Sequence, residues 1–327
     1  MFGVKRLKYL FEREGKPRRG LLAAEWVVVG YMVLTLLFML FTWTKLPSPE
    51  PMLWGRFHFL AMTAGLWAVY RVFPCRFTLL CRVALQLALL SWWYPDTFDL
   101  NRILPNQDPW FASFEQSLFG FQPALVFSQQ WSHPVFSELM YMSYSSYFLL
   151  IVVVTLFYFF QRYAEFERTV FVIIASFFVF YVVFVALPVS GPQYYYLAVG
   201  LDNISQGMFP PVGDYFITHD QMMEMPGWKD GFFYQFMVHA HSAERPTAAF
   251  PSSHIGVTLI LLLLAWRSGN RRLTCFVLPF FLLMCLSTVY IRAHYAVDIL
   301  GGIVAGAIFY VVLQACWKWV IAPKARR

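Results

Sequence analysis

Apolar residues in this chain fall into long uninterrupted runs, and most charged residues lie in the segments between them. Eight runs stand out, at about 23–42, 57–72, 77–93, 136–160, 169–187, 253–266, 273–290 and 296–319. Most match the length an α-helix needs to cross a hydrocarbon core about 30 Å thick. Strands of a membrane β-barrel would alternate polar and apolar positions, and these runs do not. The pattern predicts an all-α, polytopic integral membrane bundle of about eight transmembrane helices. Met1 to Leu22 is basic, and the run Trp26 to Phe41 has no small-residue cleavage site behind it. That run reads as a retained anchor and not as a cleaved signal peptide.

Composition agrees: 59% of residues are hydrophobic and 13% charged, about half the charge of a soluble domain. The net charge of +7 does not point to nucleic acid, because the basic residues sit in short segments between apolar runs. With a cytoplasmic N-terminus, 19 of the 25 Lys and Arg residues fall on the cytoplasmic side. The bias predicts an even number of spans with both termini cytoplasmic. Two long segments then lie outside, Tyr94 to Pro134 and Pro188 to Ala249, and long segments of this kind usually carry function. Within the first, Trp110 to Phe127 is expected to be either a short amphipathic helix in the membrane interface or a packed lid. The five cysteines have no metal-ligand spacing and read as small core residues. No internal repeat or separate soluble domain is visible.

Two segments carry chemistry. Pro246 to His254 (PTAAFPSSH) ends at the start of a span, so Ser252, Ser253 and His254 occupy a helix N-terminus. Free N–H groups and the helix dipole favour an anion there; the plainer reading is a serine N-cap beside an interfacial histidine. The second segment runs from Ser287 to Gly302. His294 and Asp298 stand four apart, so at a helix start the carboxylate can orient the imidazole and raise its basicity. Arg292 lies two residues earlier and could grip phosphate oxygens. A simple ion pair is the bland alternative, but charge at the mouth of a membrane helix argues for function. The topology brings both histidines to one membrane surface, dividing the chain into N-terminal helices with an aromatic outer loop (1–135) and a catalytic membrane domain (136–327).

Other polar residues are weaker candidates. His239 and His241, with Asp230 and Glu244, could be drawn as a metal site but read as polar loop surface; no metal and no cofactor are expected. His58, His133 and His219 read as structural. Glu138, Tyr141 and Tyr144 either face the site or form an interfacial belt. Asn203-Ile204-Ser205 matches a glycosylation acceptor, a short and unspecific pattern.

The two segments resemble the type 2 phosphatidic acid phosphatase superfamily, in particular its branch that includes inositol phosphorylceramide synthases. Pro251-Ser252-Ser253-His254 is similar to the family's second motif, and His294, Asp298, Gly301 and Gly302 to its third; the likeness covers residues 140 to 320. It implies a six-helix phosphatase-type core in which His294, polarised by Asp298, attacks phosphorus while His254 protonates the departing alkoxide. The usual first motif is absent, and Thr288 stands where an Arg is usual. Arg292, Arg245 and Lys229 are substitutes for the missing cations, while Gly191-Pro192-Gln193-Tyr194 resembles the first-motif region of the synthase-like branch. The expected phosphate-binding set is Arg292, Arg245, Ser252, Ser253 and Gln193.

The resemblance implies a metal-independent lipid phosphate phosphatase or phosphotransferase with an extracytoplasmic site, its substrate drawn from the bilayer. Inositol phosphorylceramide synthase-type transfer of a phosphoinositol group to a lipid alcohol is the alternative chemistry, and an alcohol such as inositol or ceramide is the acceptor that a phosphotransferase would take. A noncatalytic lipid carrier is the alternative of another class, and a channel or transporter is disfavoured because the spans are expected to lack buried charges. Short loops and the lack of sorting signals favour a bacterial inner membrane over a Golgi membrane.

Overall fold

The computed structural model describes residues 8–241 and 244–321. Lys5, Arg6, Lys324, Arg326 and Arg327 of the basic flanks lie outside them. The chain is all-helical: α1 (Ala23–Thr42), α2 (Pro49–Val72), α3 (Arg76–Asn101), α4 (Asp108–Phe119), α5 (Pro123–Gln130), α6 (Pro134–Ser145), α7 (Tyr147–Gln161), α8 (Tyr163–Ala186), α9 (Pro192–Val199), α10 (Phe232–His241), α11 (Ser253–Arg267), α12 (Arg271–Tyr290) and α13 (Val297–Cys316), with single turns between some of them. Proline opens α2, α5, α6 and α9, where its missing N–H costs no hydrogen bond.

All eight expected runs are helical, seven of them with a single α-helix at their core and the run 136–160 as two. Among the described residues, α1, α3, α8, α12 and α13 are long and apolar enough to cross a membrane, and α6 with α7 makes a sixth if that bent pair is one span. Helix α11 is apolar but only 15 residues long. Helix α2 has 24 residues but carries Arg56, His58 and Arg71, and is not among the apolar spans.

Helix α2 begins at Pro49 and α8 at Tyr163, earlier than the expected 57 and 169, and two further runs differ in form. The run 136–160 is two helices meeting at 49°. The bend falls at Ser145 and Ser146, whose hydroxyls donate to the carbonyls of Tyr141 and Ser143 and compete with the helical pattern. Helix α3 passes through Pro95 and continues to Asn101, beyond the expected 93. Its extra turns are held by buried polar contacts: Asn101 donates to the carbonyl of Phe184 and to Thr247 Oγ1, both at 2.8 Å.

Helix α8 is the centre of the bundle, with 72% of its most apolar window buried, and it packs against α1, α3, α7, α11 and α13. The core is therefore continuous across residue 135. Helix α11 in turn packs on α12 and α13. Its Gly256 meets Gly302 and Gly306 of α13 so closely that a Cβ on Gly306 would lie 2.6 Å from the Gly256 carbonyl oxygen, and one on Gly256 would lie 2.9 Å from that of Gly302. Small residues let membrane helices approach backbone to backbone in this way.

The expectation that the spans lack buried charge is overturned. Glu25 and Arg82 pair at 2.9 Å between α1 and α3, and Arg56 of α2 makes a two-pronged pair with Asp96 of α3 at 2.9 and 2.8 Å. All four are buried. Opposite charges placed on different helices satisfy one another, so none faces the apolar interior alone. Removing one partner strands the other: Asp96→Ala is expected to cost about 3–5 kcal/mol. The double variant Arg56→Met with Asp96→Leu is expected to lose less, as measured by unfolding in detergent. Equal losses in the two would show that the pair is not coupled.

Candidate active site

Three loops converge where α11 and α13 begin. Ala249 N–H donates to the Val189 carbonyl at 2.9 Å, and Gln193 N–H to the Arg292 carbonyl at 2.9 Å. Gly191 has φ of +90°, and a Cβ there would stand 2.6 Å from the Ala293 carbonyl oxygen, so only glycine fits between these loops. Asp108, at the start of α4, binds all of this together. Its buried carboxylate accepts from the N–H groups of Ser190 and Gly191, from the Asn106 amide and from the Tyr295 hydroxyl.

Ser252 is the N-cap of α11, its Oγ accepting from Ile255 N–H at 3.4 Å. His254 follows in the first turn, half-buried, with its ring stacked on Tyr144 at 4.3 Å and against Tyr147 at 4.4 Å. These tyrosines flank the bend between α6 and α7, so the serine-rich break shapes the wall of the site. Ser253 is buried and its carbonyl accepts from the Tyr147 hydroxyl at 3.4 Å.

His294 is buried, and its ring lies 5.9 Å from that of His254, nearly perpendicular. Its Nδ1 is 2.7 Å from the Ala249 carbonyl oxygen and 3.3 Å from Asp298 Oδ2. A carbonyl can only accept, so Nδ1 carries the proton and Nε2 keeps its lone pair. That lone pair is 3.2 Å from Ser252 Oγ, on the side of the α11 N-terminus. Burial pushes the imidazole down to about 4, against the opposing pull of the Ala249 carbonyl and the Glu244 charge. At ordinary pH His294 is a neutral imidazole whose Nε2 lone pair meets the Ser252 hydroxyl, the protonation state a nucleophile requires.

The shared-face reading of His294 and Asp298 needs correction. Helix α13 begins at Val297, so His294 lies in the preceding loop and only Asp298 is helical. Arg292 has φ of +68°, and this left-handed turn ends the helical path of α12. Asp298 reaches back from the first turn of α13, accepting from Tyr295 N–H at 3.0 Å, and the shorter contact of the imidazole is to a backbone carbonyl.

The expected phosphate-binding residues divide. Ser252 and Ser253 stand at the histidines, and Gln193 is buried in the first turn of α9, its N–H bonded to the Arg292 carbonyl. Arg292 makes two long contacts, both 3.4 Å, to the Glu224 carbonyl and Ser128 Oγ, and its buried Nε has no hydrogen-bond partner among the described residues. Arg245 is exposed and paired with Asp220, and Lys229 is exposed and paired with Glu224. Of the three doubtful residues on α6, Tyr144 contacts His254. Tyr141 instead donates to the Pro226 carbonyl, and Glu138 accepts from Phe233 and Tyr234 N–H at the start of α10. His239 bonds the Gln235 carbonyl; the side chain of His241 lies outside the described residues.

Helix α4 carries part of the aromatic stretch, and its Phe111 packs on Phe250 and Tyr295 as a packed lid would, while Trp110 and Leu118 are exposed. Sequence reasoning missed Asp108, Glu115, Tyr147 and Tyr295. Glu115 did leave a signal: it is the one acid between Trp110 and Phe127.

A family model described as PAP2 superfamily matches residues 109–312, which include Ser252, His254, His294 and Asp298. Comparison with curated proteins and with solved structures finds no match. The tautomer is directly measurable: in protein labelled with ¹⁵N-histidine, one ring is expected to carry its proton on Nδ1 and to titrate near pH 4, and this signal should vanish in His294→Ala. A midpoint near the usual histidine value would contradict the buried, carbonyl-bonded ring.

Proposed function

The chain belongs to the PAP2 superfamily, whose membership supports phosphatase-type activity; on that premise we propose that it removes or transfers the phosphate of a membrane lipid through a phosphohistidine. The observation that carries this reading is the direction of His294 Nε2. Its lone pair faces the N-terminus of α11, where the Ser252 hydroxyl and the free N–H groups of the first turn favour an anion.

In the first step Nε2 attacks phosphorus and a P–N bond forms. The ester P–O bond breaks, and its electron pair leaves with the lipid oxygen, which takes a proton from His254. In the second, water or an alcohol attacks phosphorus, the P–N electrons return to Nε2, and His254 takes the proton of the acceptor. Asp298 and the Ala249 carbonyl hold the Nδ1 proton throughout and favour the positive charge that the ring acquires. Arg292 is the cation best placed to meet phosphate oxygens, because its present contacts are long and its Nε is unsatisfied. Arg245 and Lys229 would have to leave Asp220 and Glu224 to take part.

The lipid reaches the site from within the bilayer. On the charge bias of the connecting segments we place the site on the extracytoplasmic face and both termini in the cytoplasm, in a bacterial inner membrane rather than a Golgi membrane. Hydrolysis and transfer to an alcohol, phosphoinositol transfer included, share the first step and differ in which acceptor reaches the phosphohistidine.

The test is release of inorganic phosphate by purified protein in detergent with chelator, from phosphatidic acid, an isoprenyl phosphate and a phosphatidylinositol phosphate. Activity is expected to survive chelator, to disappear in His294→Ala and to fall by about 10²–10⁴ in His254→Ala. Loss of lipid without phosphate release, on adding inositol or ceramide, would identify transfer. No turnover under any condition would favour the lipid-carrier reading instead.

A further inference from the structure

Glu115 is a buried acid on α4, far in sequence from both motif segments. Its Oε1 accepts from Val297 N–H at 3.0 Å, the amide that opens α13, one residue before Asp298. The backbone N–H of Ala296 also bears on it. Its other oxygen, Oε2, is buried without a hydrogen-bond partner among the described residues, and so is Asp298 Oδ1. A buried carboxylate oxygen without a donor is costly, and so is a buried hydroxyl without an acceptor. The two atoms have complementary needs if one of the acids keeps its proton.

Resting on the phosphoryl-transfer reading above, we propose that Glu115 is a positioning residue of this site, acting in its uncharged form through the first turn of α13 on Asp298 and thereby on His294. Two titratable groups bear on it: Asp298 from α13, and Tyr196 from α9 with its hydroxyl donated to Gln122; Asp108 stands two turns back on the same helix. Burial raises the Glu115 carboxyl to about 8, the Asp298 charge adding to the rise while the Val297 and Ala296 amides oppose it.

The sign follows directly. Below about pH 8 Glu115 is a neutral acid: its carbonyl oxygen accepts the Val297 N–H and its hydroxyl is available to Asp298. Above that pH the proton is lost, and a second negative charge stands beside Asp298, where it repels both that carboxylate and an incoming phosphate. The site is therefore built to lose activity on the alkaline side for a reason outside the two histidines.

The experiment compares wild type with Glu115→Gln, which reproduces the shape and hydrogen bonds of the neutral acid but cannot ionise. Phosphate release from phosphatidic acid is followed across pH. The variant is expected to keep near wild-type kcat at neutral pH and to exceed wild type about tenfold near pH 9, its alkaline limb removed or displaced upward. Glu115→Ala, which leaves the Val297 amide without its acceptor, is expected to lower kcat by up to about a hundredfold with little change in KM. An alkaline limb identical in wild type and Glu115→Gln overturns the proposal.

A second readout needs no turnover. In infrared spectra, a protonated-carboxyl band is expected in wild type, absent from Glu115→Gln and titrating away near pH 8. If wild type releases no phosphate from any lipid, the function proposed above falls, and this band alone then decides the state of Glu115. Its absence from wild type overturns the inference.

Discussion

The closeness of α11 to α13 is the constraint on which the site depends. Ser252 and His254 belong to the start of one helix and Asp298 to the start of the other, and His294 hangs in the loop between α12 and α13. The contact of His294 with Asp298 lies within one segment, but those with Ser252 and Ala249 cross between the two helices and would be lost at an ordinary side-chain-mediated distance of about 8–10 Å. Glycine at 256, 302 and 306 removes the intervening side chains. The Ser252 hydroxyl can then stand 3.2 Å from His294 Nε2, and the Ala249 carbonyl 2.7 Å from Nδ1. Gly302 and Gly306 thus set the geometry of the candidate site through backbone approach alone.

Around this contact the protein spends buried polar groups in two ways. Near the site they fix backbone: Asp108 gathers the loops at Ser190, Gly191 and Tyr295, and Glu115 the first turn of α13. Away from it, in α1 to α3, they fix helices to each other through the pairs Glu25 with Arg82 and Arg56 with Asp96. In both cases the partners come from distant parts of the chain, which makes these contacts specific to a single arrangement of the bundle.

That distance in sequence explains what could be read beforehand and what could not. The membrane helices and the two histidine segments were legible because their signals are local: an apolar run, a serine before a helix, a histidine four residues from an aspartate. The bend at Ser146 was hidden, since a continuous apolar run does not reveal hydroxyls that compete for helical carbonyls. Asp108 and Glu115 lie 187 and 182 residues from their partners Tyr295 and Val297. The Ala249 carbonyl, the nearer partner of His294 Nδ1, has no residue-type signature at all. The expectation that the spans lack buried charge failed at Glu25 and Arg82 because an apolar run does not show which distant carboxylate a lone guanidinium meets inside the bundle.

The pair of Glu25 with Arg82 also bears on how the chain comes to be in a bilayer. The two residues are separated by 57 positions, so during synthesis α1 emerges well before the arginine that neutralises its carboxylate exists. Glu25 stands in the first turn of α1, at a helix end, where a charged group stays within reach of the polar headgroups before its partner exists. Its burial against Arg82 therefore belongs to the packing of α1 on α3, a step that can follow only once α3 has been made.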